Sequence, residues 1–113
     1  MEKYPVLKME KPHLPRRRRE AHKREFGKVF ILAGSKGYTG APCMAAGAAV
    51  RGGAGLVTVA VRPDIYPVVA AKCCNEAMVW PISDSYEDLL EKARGADIVL
   101  IGPGIGQSRW IER

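Results

Sequence analysis

Three short runs in this 113-residue chain are apolar at nearly every position: Val29-Phe30-Ile31-Leu32-Ala33, Leu56-Val57-Thr58-Val59-Ala60-Val61 and Asp97-Ile98-Val99-Leu100-Ile101. A strand with one wet face alternates apolar and polar side chains. Runs without alternation belong in a sheet covered on both faces, which is the condition of parallel sheets flanked by helices. Ala77 to Ile82 reads as a weaker strand of the same kind. Helical segments fall between the runs. Ala41 to Arg51 is Ala-rich, with Pro42 near its start and Gly52-Gly53 at its end. Asp64 reads as the N-cap of a second helix, with Pro67 in its first turn, running toward Lys72. Ser85-Tyr86-Glu87-Asp88 has the form of a capping box, opening a helix with Leu89, Leu90 and Ala93 on one face and stopping at Gly95. The alternation predicts an α/β fold: a mostly parallel sheet of about four strands with flanking helices and right-handed crossovers. The first helix carries only small or uncharged side chains up to Arg51, so burial is expected for it.

In such sheets ligands sit beyond the carboxyl ends of the strands. Glycine-rich turns occupy that position twice, as Gly34-Ser35-Lys36-Gly37-Tyr38-Thr39-Gly40-Ala41-Pro42 after the first strand and Gly102-Pro103-Gly104-Ile105-Gly106 after the fourth. The first is not a Walker A loop, because Ala41-Pro42 follows its last glycine where Lys-Ser or Lys-Thr is required. The second lacks the GxGxxG spacing of a dinucleotide fingerprint. Two readings stay open from pattern alone: backbone amides cradling an anionic ligand, or glycines that merely permit tight turns.

Other chemistries find little support. Cys43 and the adjacent Cys73 and Cys74 fit neither a CxxC metal spacing nor a disulfide framework and read as reduced core residues. His13 and His22 have no carboxylate at triad or metal-ligand spacing. No metal ligand set and no nucleophile with its base emerge. No window approaches the ~18 consecutive apolar residues of a membrane span, and Met1 to Pro5 lacks the apolar core of a secretion signal, so a cytoplasmic protein is expected. With 47% hydrophobic residues the chain can build one small core.

The net charge of +6 resides in the first 28 residues, which hold ten basic against four acidic side chains. Residues 1–21, with Pro5, Pro12, Pro15 and the run Arg16 to Arg19, read as a basic arm or linker. Clustered arginine neutralises phosphates, so a non-enzymatic module binding nucleotides or nucleic acid through this arm is the alternative to an enzyme. No aromatic residue interleaves the run, which favours a solvated segment over a nucleic-acid site.

Residues around the first glycine turn carry more than a pattern. His22-Lys23, Phe26-Gly27-Lys28-Val29, Leu32-Ala33-Gly34-Ser35, Tyr38-Thr39-Gly40-Ala41-Pro42, Ala45-Ala46, Ala48-Ala49, Arg51 and Gly53 through Val59 together resemble the start of an NAD(P)H-hydrate dehydratase domain. Glu76-Ala77-Met78 and Ile101 through Gly106 match later blocks in the same order. The resemblance implies a ribokinase-like three-layer fold and a repair activity. That activity is the ADP- or ATP-dependent dehydration of the S epimer of hydrated NADH or NADPH, with Mg2+ a candidate companion ion. Its logic is phosphorylation of the ring hydroxyl followed by elimination of phosphate. On this reading Tyr38, Thr39, Gly40, Ala41, Gly102, Gly104 and Gly106 contact the hydrated nucleotide, Ala41 foremost.

Two departures accompany the resemblance. Arg24 stands where the family has glycine. The family's Gly-Thr-Gly-Asp block, with the catalytic aspartate and much of the ADP/ATP phosphate site, has no counterpart in these 113 residues, so no catalytic residue is carried onto this chain. Residues 22–113 are therefore expected to be the amino-terminal part of such a domain. A half-sheet of this kind exposes an edge and apolar faces, which predicts self-association or dependence on the rest of the domain. An epimerase domain upstream of residues 1–21 is a further implication.

Overall fold

The computed structural model describes residues 27–106. Four strands and three helices alternate as β1 (Lys28–Leu32), α1 (Gly40–Arg51), β2 (Leu56–Val61), α2 (Tyr66–Lys72), β3 (Met78–Pro81), α3 (Tyr86–Arg94) and β4 (Ile98–Ile101). All three strand pairings are parallel, in the order β3-β2-β1-β4. The chain winds outward from β1 through β2 to β3, then returns past β1 to place β4 on its other side. The winding therefore reverses at the seam between β1 and β4, the place in such sheets where a crevice opens.

The sheet is the middle of three layers. Ile31 of β1 and Val57, Val59 and Val61 of β2 lie under Ala46 of α1 and Val69 of α2. Phe30, Leu32 and Ala60 point the other way, with Leu89 and Ala93 of α3 packed against them. This side also holds the Phe30 and Trp80 rings at 6.5 Å between centroids, and the Lys92 ammonium 5.5 Å from the Trp80 ring. Each fully buried aliphatic side chain contributes roughly 1.5–3 kcal/mol by leaving water, so the β1–β2 pair is the centre of stability.

The expected elements are present, with instructive differences. Of α1 only Pro42 and Ala46 are buried, and Met44 is 76% exposed. Lack of charge lets a helix be buried, but burial needs something stacked on its outer face, and among the described residues α1 packs mainly on the sheet and α2. The second helix begins at Tyr66 with Ile65 at the N-cap position and no side-chain cap, rather than from Asp64. Asp64 instead lies 3.6 Å from Arg62 in an exposed ion pair. Burial of Ile65 against the first glycine turn sets the helix start, outweighing the preference of Asp64 for a cap.

At α3, Ser85 caps as expected, its hydroxyl accepting from the Asp88 amide at 3.3 Å. The reciprocal half of the box is rerouted: the Ser83 hydroxyl donates to the Asp88 carboxylate at 3.2 Å and accepts from the Ser85 amide. Asp97 precedes β4 and accepts from the Lys28 amide at 2.8 Å, tying the starts of β4 and β1 together. The basic arm, Arg16 to Arg19, His13 and His22 lie outside the described residues. Among the described residues no helix is long and apolar enough to cross a membrane.

Candidate functional site

The two glycine turns leave neighbouring strands, and hydrogen bonding joins them. The Gly102 amide extends the β1–β4 ladder by donating to the Leu32 carbonyl at 3.2 Å, and the Gly34 amide donates back to the Pro103 carbonyl at 2.8 Å. The buried Ser35 hydroxyl then donates to the Gly104 carbonyl at 2.7 Å. Each turn is closed within itself as well, by Tyr38 N–H to Ser35 at 2.8 Å and Ile105 N–H to Gly102 at 3.0 Å. Residues 69 apart in sequence thus form one ledge along the β1–β4 seam.

Every site residue expected from the sequence lies on this ledge. Tyr38, Gly102 and Gly106 are exposed, while Thr39, Gly40, Ala41 and Gly104 are half-buried. The glycines divide into two kinds. A Cβ on Gly104 would stand 2.8 Å from the Ala41 Cβ and 3.2 Å from the Tyr38 Cβ, so this glycine lets the turns touch. Gly34 is crowded likewise by Pro42 and Ile65, at 2.9 and 3.0 Å. Among the described residues nothing lies within 4 Å of a Cβ on Gly37, Gly40 or Gly102, which leaves backbone open to approach. Packing therefore accounts for Gly34 and Gly104, and open access distinguishes the other three.

Electrostatics favour an anion here. Thr39, at the N-cap of α1, makes no side-chain cap, and the first turn contains no acidic residue. The Thr39 hydroxyl instead accepts from the Lys72 ammonium at 3.0 Å. The positive end of a 12-residue helix and a lysine thus converge at one point. Ser35 and Lys72 are the two contributors that sequence reasoning missed. Ser35 looks like any turn serine until its partner 69 residues away is known. Lys72 looks like a routine favourable charge at a helix C-terminus.

Of the three cysteines, the buried Cys73 offers no nucleophile beside this ledge. Burial pushes the Cys73 thiol up to about 11, with Cys43 and Cys74 nearby adding to the effect, so it stays protonated at neutral pH. Among the described residues no group of three or more His, Cys, Asp or Glu is placed to hold a metal ion. A groove of about 230 Å³ opens on the α3 side, between Phe30, Leu32, Leu89, Val99, Ile101 and Ile105. It shares Ile105 with the second turn and none of the first turn's residues.

Comparison with known proteins matches residues 29–113 to the family described as NAD(P)H-hydrate dehydratase. A protein of Coxiella burnetii named bifunctional NAD(P)H-hydrate repair enzyme Nnr is 46% identical over 99 residues, covering 88% of this chain and 20% of that protein. The crystal structure of an ADP/ATP-dependent NAD(P)H-hydrate dehydratase from Bacillus subtilis, co-crystallised with ATP/Mg2+, superposes with a TM-score of 0.65 and 30% identity. It covers 88% of this chain and 35% of that one. A ribokinase-like superfamily protein from Enterococcus faecalis gives a TM-score of 0.67 at 33% identity, covering 83% and 32% of the two chains. The α/β architecture is therefore the ribokinase-like one. This chain spans about a third of those two solved proteins and a fifth of the Coxiella relative.

Proposed function

We infer the function from the fact that this chain belongs to the NAD(P)H-hydrate dehydratase family: its ledge of paired glycine turns is one wall of a cleft that holds a hydrated nicotinamide nucleotide. The observation that carries the reading is the 2.7 Å hydrogen bond from Ser35 to Gly104. It joins the two stretches that resemble the family's substrate-binding blocks. In this reading Tyr38, Thr39, Gly40, Ala41, Gly102, Gly104 and Gly106 hold the nucleotide, and the positive end of α1 with Lys72 receives its phosphates.

The reaction served is dehydration of the S epimer of hydrated NADH or NADPH, with ADP or ATP as phosphoryl donor and Mg2+ arriving on the nucleotide's phosphates. Phosphorylating the ring hydroxyl turns a poor leaving group into phosphate. Its departure with a proton from the adjacent ring carbon restores the double bond. These 113 residues contribute holding and orientation. The Gly-Thr-Gly-Asp block that supplies the acid–base step in the family is not among them. Residues 22–113 form the amino-terminal portion of the domain in this proposal, and residues 1–21 an arm ahead of it. An epimerase is the partner in the same repair on this reading, and the Coxiella relative is named a bifunctional repair enzyme. The proposal places the protein in the cytoplasm.

Thermal melts of the 113-residue chain with S-NADPH hydrate, NADPH and ADP test the binding. A ligand at 100 times its Kd adds about 2.7 kcal/mol of stability, and S-NADPH hydrate should raise the melting temperature. Gly40→Asp puts its new side chain into open space, so the fold tolerates it, while its carboxylate repels the phosphates. No shift in the natural chain, or an equal shift in this variant, overturns the reading.

A further inference from the structure

Cys43 of α1 and the adjacent Cys73 and Cys74 at the end of α2 are remote in sequence and meet in the fold. Thr39 ties the two helices together. The Lys72 ammonium donates to the Thr39 hydroxyl at 3.0 Å, and the Cys43 thiol, one helical turn on, donates to the Thr39 carbonyl at 3.4 Å. Cys73 follows Lys72 directly as the C-cap of α2, with its amide held by the Val69 carbonyl at 2.8 Å. The Cys73 side chain belongs to the buried core between these helices and the sheet, and Cys43 and Cys74 both pack against that core. All three thiols are free, and Cys43 and Cys74 are only half-buried. Burial raises the Cys73 thiol most, and of its two sulfur neighbours Cys43 has the larger influence and Cys74 the smaller.

We propose that Cys43 and Cys73 form a thiol–disulfide exchange site, at which a small-molecule disulfide of the glutathione type oxidises the pair to a bond bridging α1 and α2. Chain geometry selects this pair. Consecutive Cα atoms lie about 3.8 Å apart, short of the roughly 4.4–6.8 Å that a disulfide ordinarily spans, so closing Cys73 on Cys74 stores strain. Cys43 stands on a separate element and is free of that constraint. Access sets the order of events. The half-buried Cys43, as thiolate, attacks one sulfur of the reagent, giving a mixed disulfide and releasing one small thiol. The Cys73 thiolate then attacks the Cys43 sulfur and releases the second small thiol. Two protein thiols are thereby oxidised, the reagent disulfide is reduced to two thiols, and the two protons end on those thiols. Burial of Cys73 makes the second step the slower one.

The bond uses up the proton that Cys43 donates to the Thr39 carbonyl. It also fixes the first turn of α1 to the end of α2, the elements that bring Thr39 and Lys72 together on the ledge. In a reducing compartment a bond of this kind is transient and responds to oxidant, instead of serving as a permanent staple. Its formation needs no nucleotide, so it does not depend on the function proposed for the ledge.

The test treats the reduced full chain with oxidised glutathione at neutral pH, without nucleotide, then alkylates and digests it. Peptide mass mapping should find Cys43 joined to Cys73 and Cys74 alkylated, with reversal by dithiothreitol. Cys43→Ser should abolish the bridge and Cys74→Ser should keep it. In the bridged chain, hydrogen exchange at the Cys73 amide should slow by about tenfold or more. The urea midpoint should rise, because the bond closes the segment between the two helices in the unfolded chain. A product that stops at glutathionylated Cys43, a bond from Cys43 to Cys74, a bridge between two chains, or a chain left unmodified overturns the proposal. Because no nucleotide is present, failure here is distinguishable from failure of the thermal-shift experiment.

Discussion

Strands β1 and β4 are neighbours with nearly interchangeable sequences, Val-Phe-Ile-Leu against Ile-Val-Leu-Ile, and they meet opposite fates. Ile31 is wholly buried, while its register partner Leu100 is 41% exposed and the strand's end residues about 60%. Composition cannot separate them, because both satisfy the rule for a doubly covered strand. Position separates them. Among the described residues β1 has strands on both sides, α1 and α2 over one face and α3 over the other, whereas β4 has one neighbouring strand and side chains 41–61% exposed. An apolar run thus states what a strand requires, and only the assembled elements show whether the requirement is met.

The comparison can be broken by truncation at equivalent positions. Ile31→Ala should cost about 2–5 kcal/mol in urea unfolding of the chain, since it empties a packed site. Leu100→Ala should cost less than about 1 kcal/mol, as for an exposed position. Equal losses at the two sites would mean that β4 is covered in solution.

A smaller effect sharpens the link between the strands. Ser35→Ala leaves the Gly104 carbonyl without its donor and should cost about 1–3 kcal/mol. Hydrogen exchange should quicken at the Ile105 amide, inside the second turn, while the amides of β2 keep their protection. Uniform loosening of the sheet would show that the serine supports the core as a whole.

The smallest effect concerns the buried side alone. The Cys73 thiol is raised from an ordinary value of 9.0 to about 11, chiefly by burial. Below pH 9 both folded and unfolded chains keep this proton and the thiol leaves stability unaffected by pH. Between about pH 9 and 11 the unfolded chain releases the proton while the folded chain retains it, so stability falls as pH rises. Urea midpoints measured across that window should decline more steeply for the natural chain than for Cys73→Ala. Parallel declines would place Cys73 in contact with water.

Much of the architecture was legible from residues in sequence order. The unbroken apolar runs located β1, β2 and β4, and Ser85 with Asp88 marked the start of α3 within a residue. The glycine turns were legible as features at the carboxyl edge. That they touch was not, because Ser35 and Gly104 are 69 residues apart and nothing local in either predicts the other. Asp64 misled for a related reason: its local preference for capping was outweighed by the burial of Ile65 between elements. The bare outer face of α1 at Met44 shows the same limit, since absence of charge permits burial without supplying a partner.

By itself, then, the sequence determined element type, order and parallel pairing, because these follow from periodicity, caps and connection length, which act over a few residues. It also determined the family, through blocks repeated in order. Tertiary structure alone decided which glycines serve packing and which stay open, that Lys72 reaches Thr39, and that β4 lies at an edge of the described sheet. Those outcomes depend on distances between residues remote in the chain, and such distances are set only when the layers close on one another.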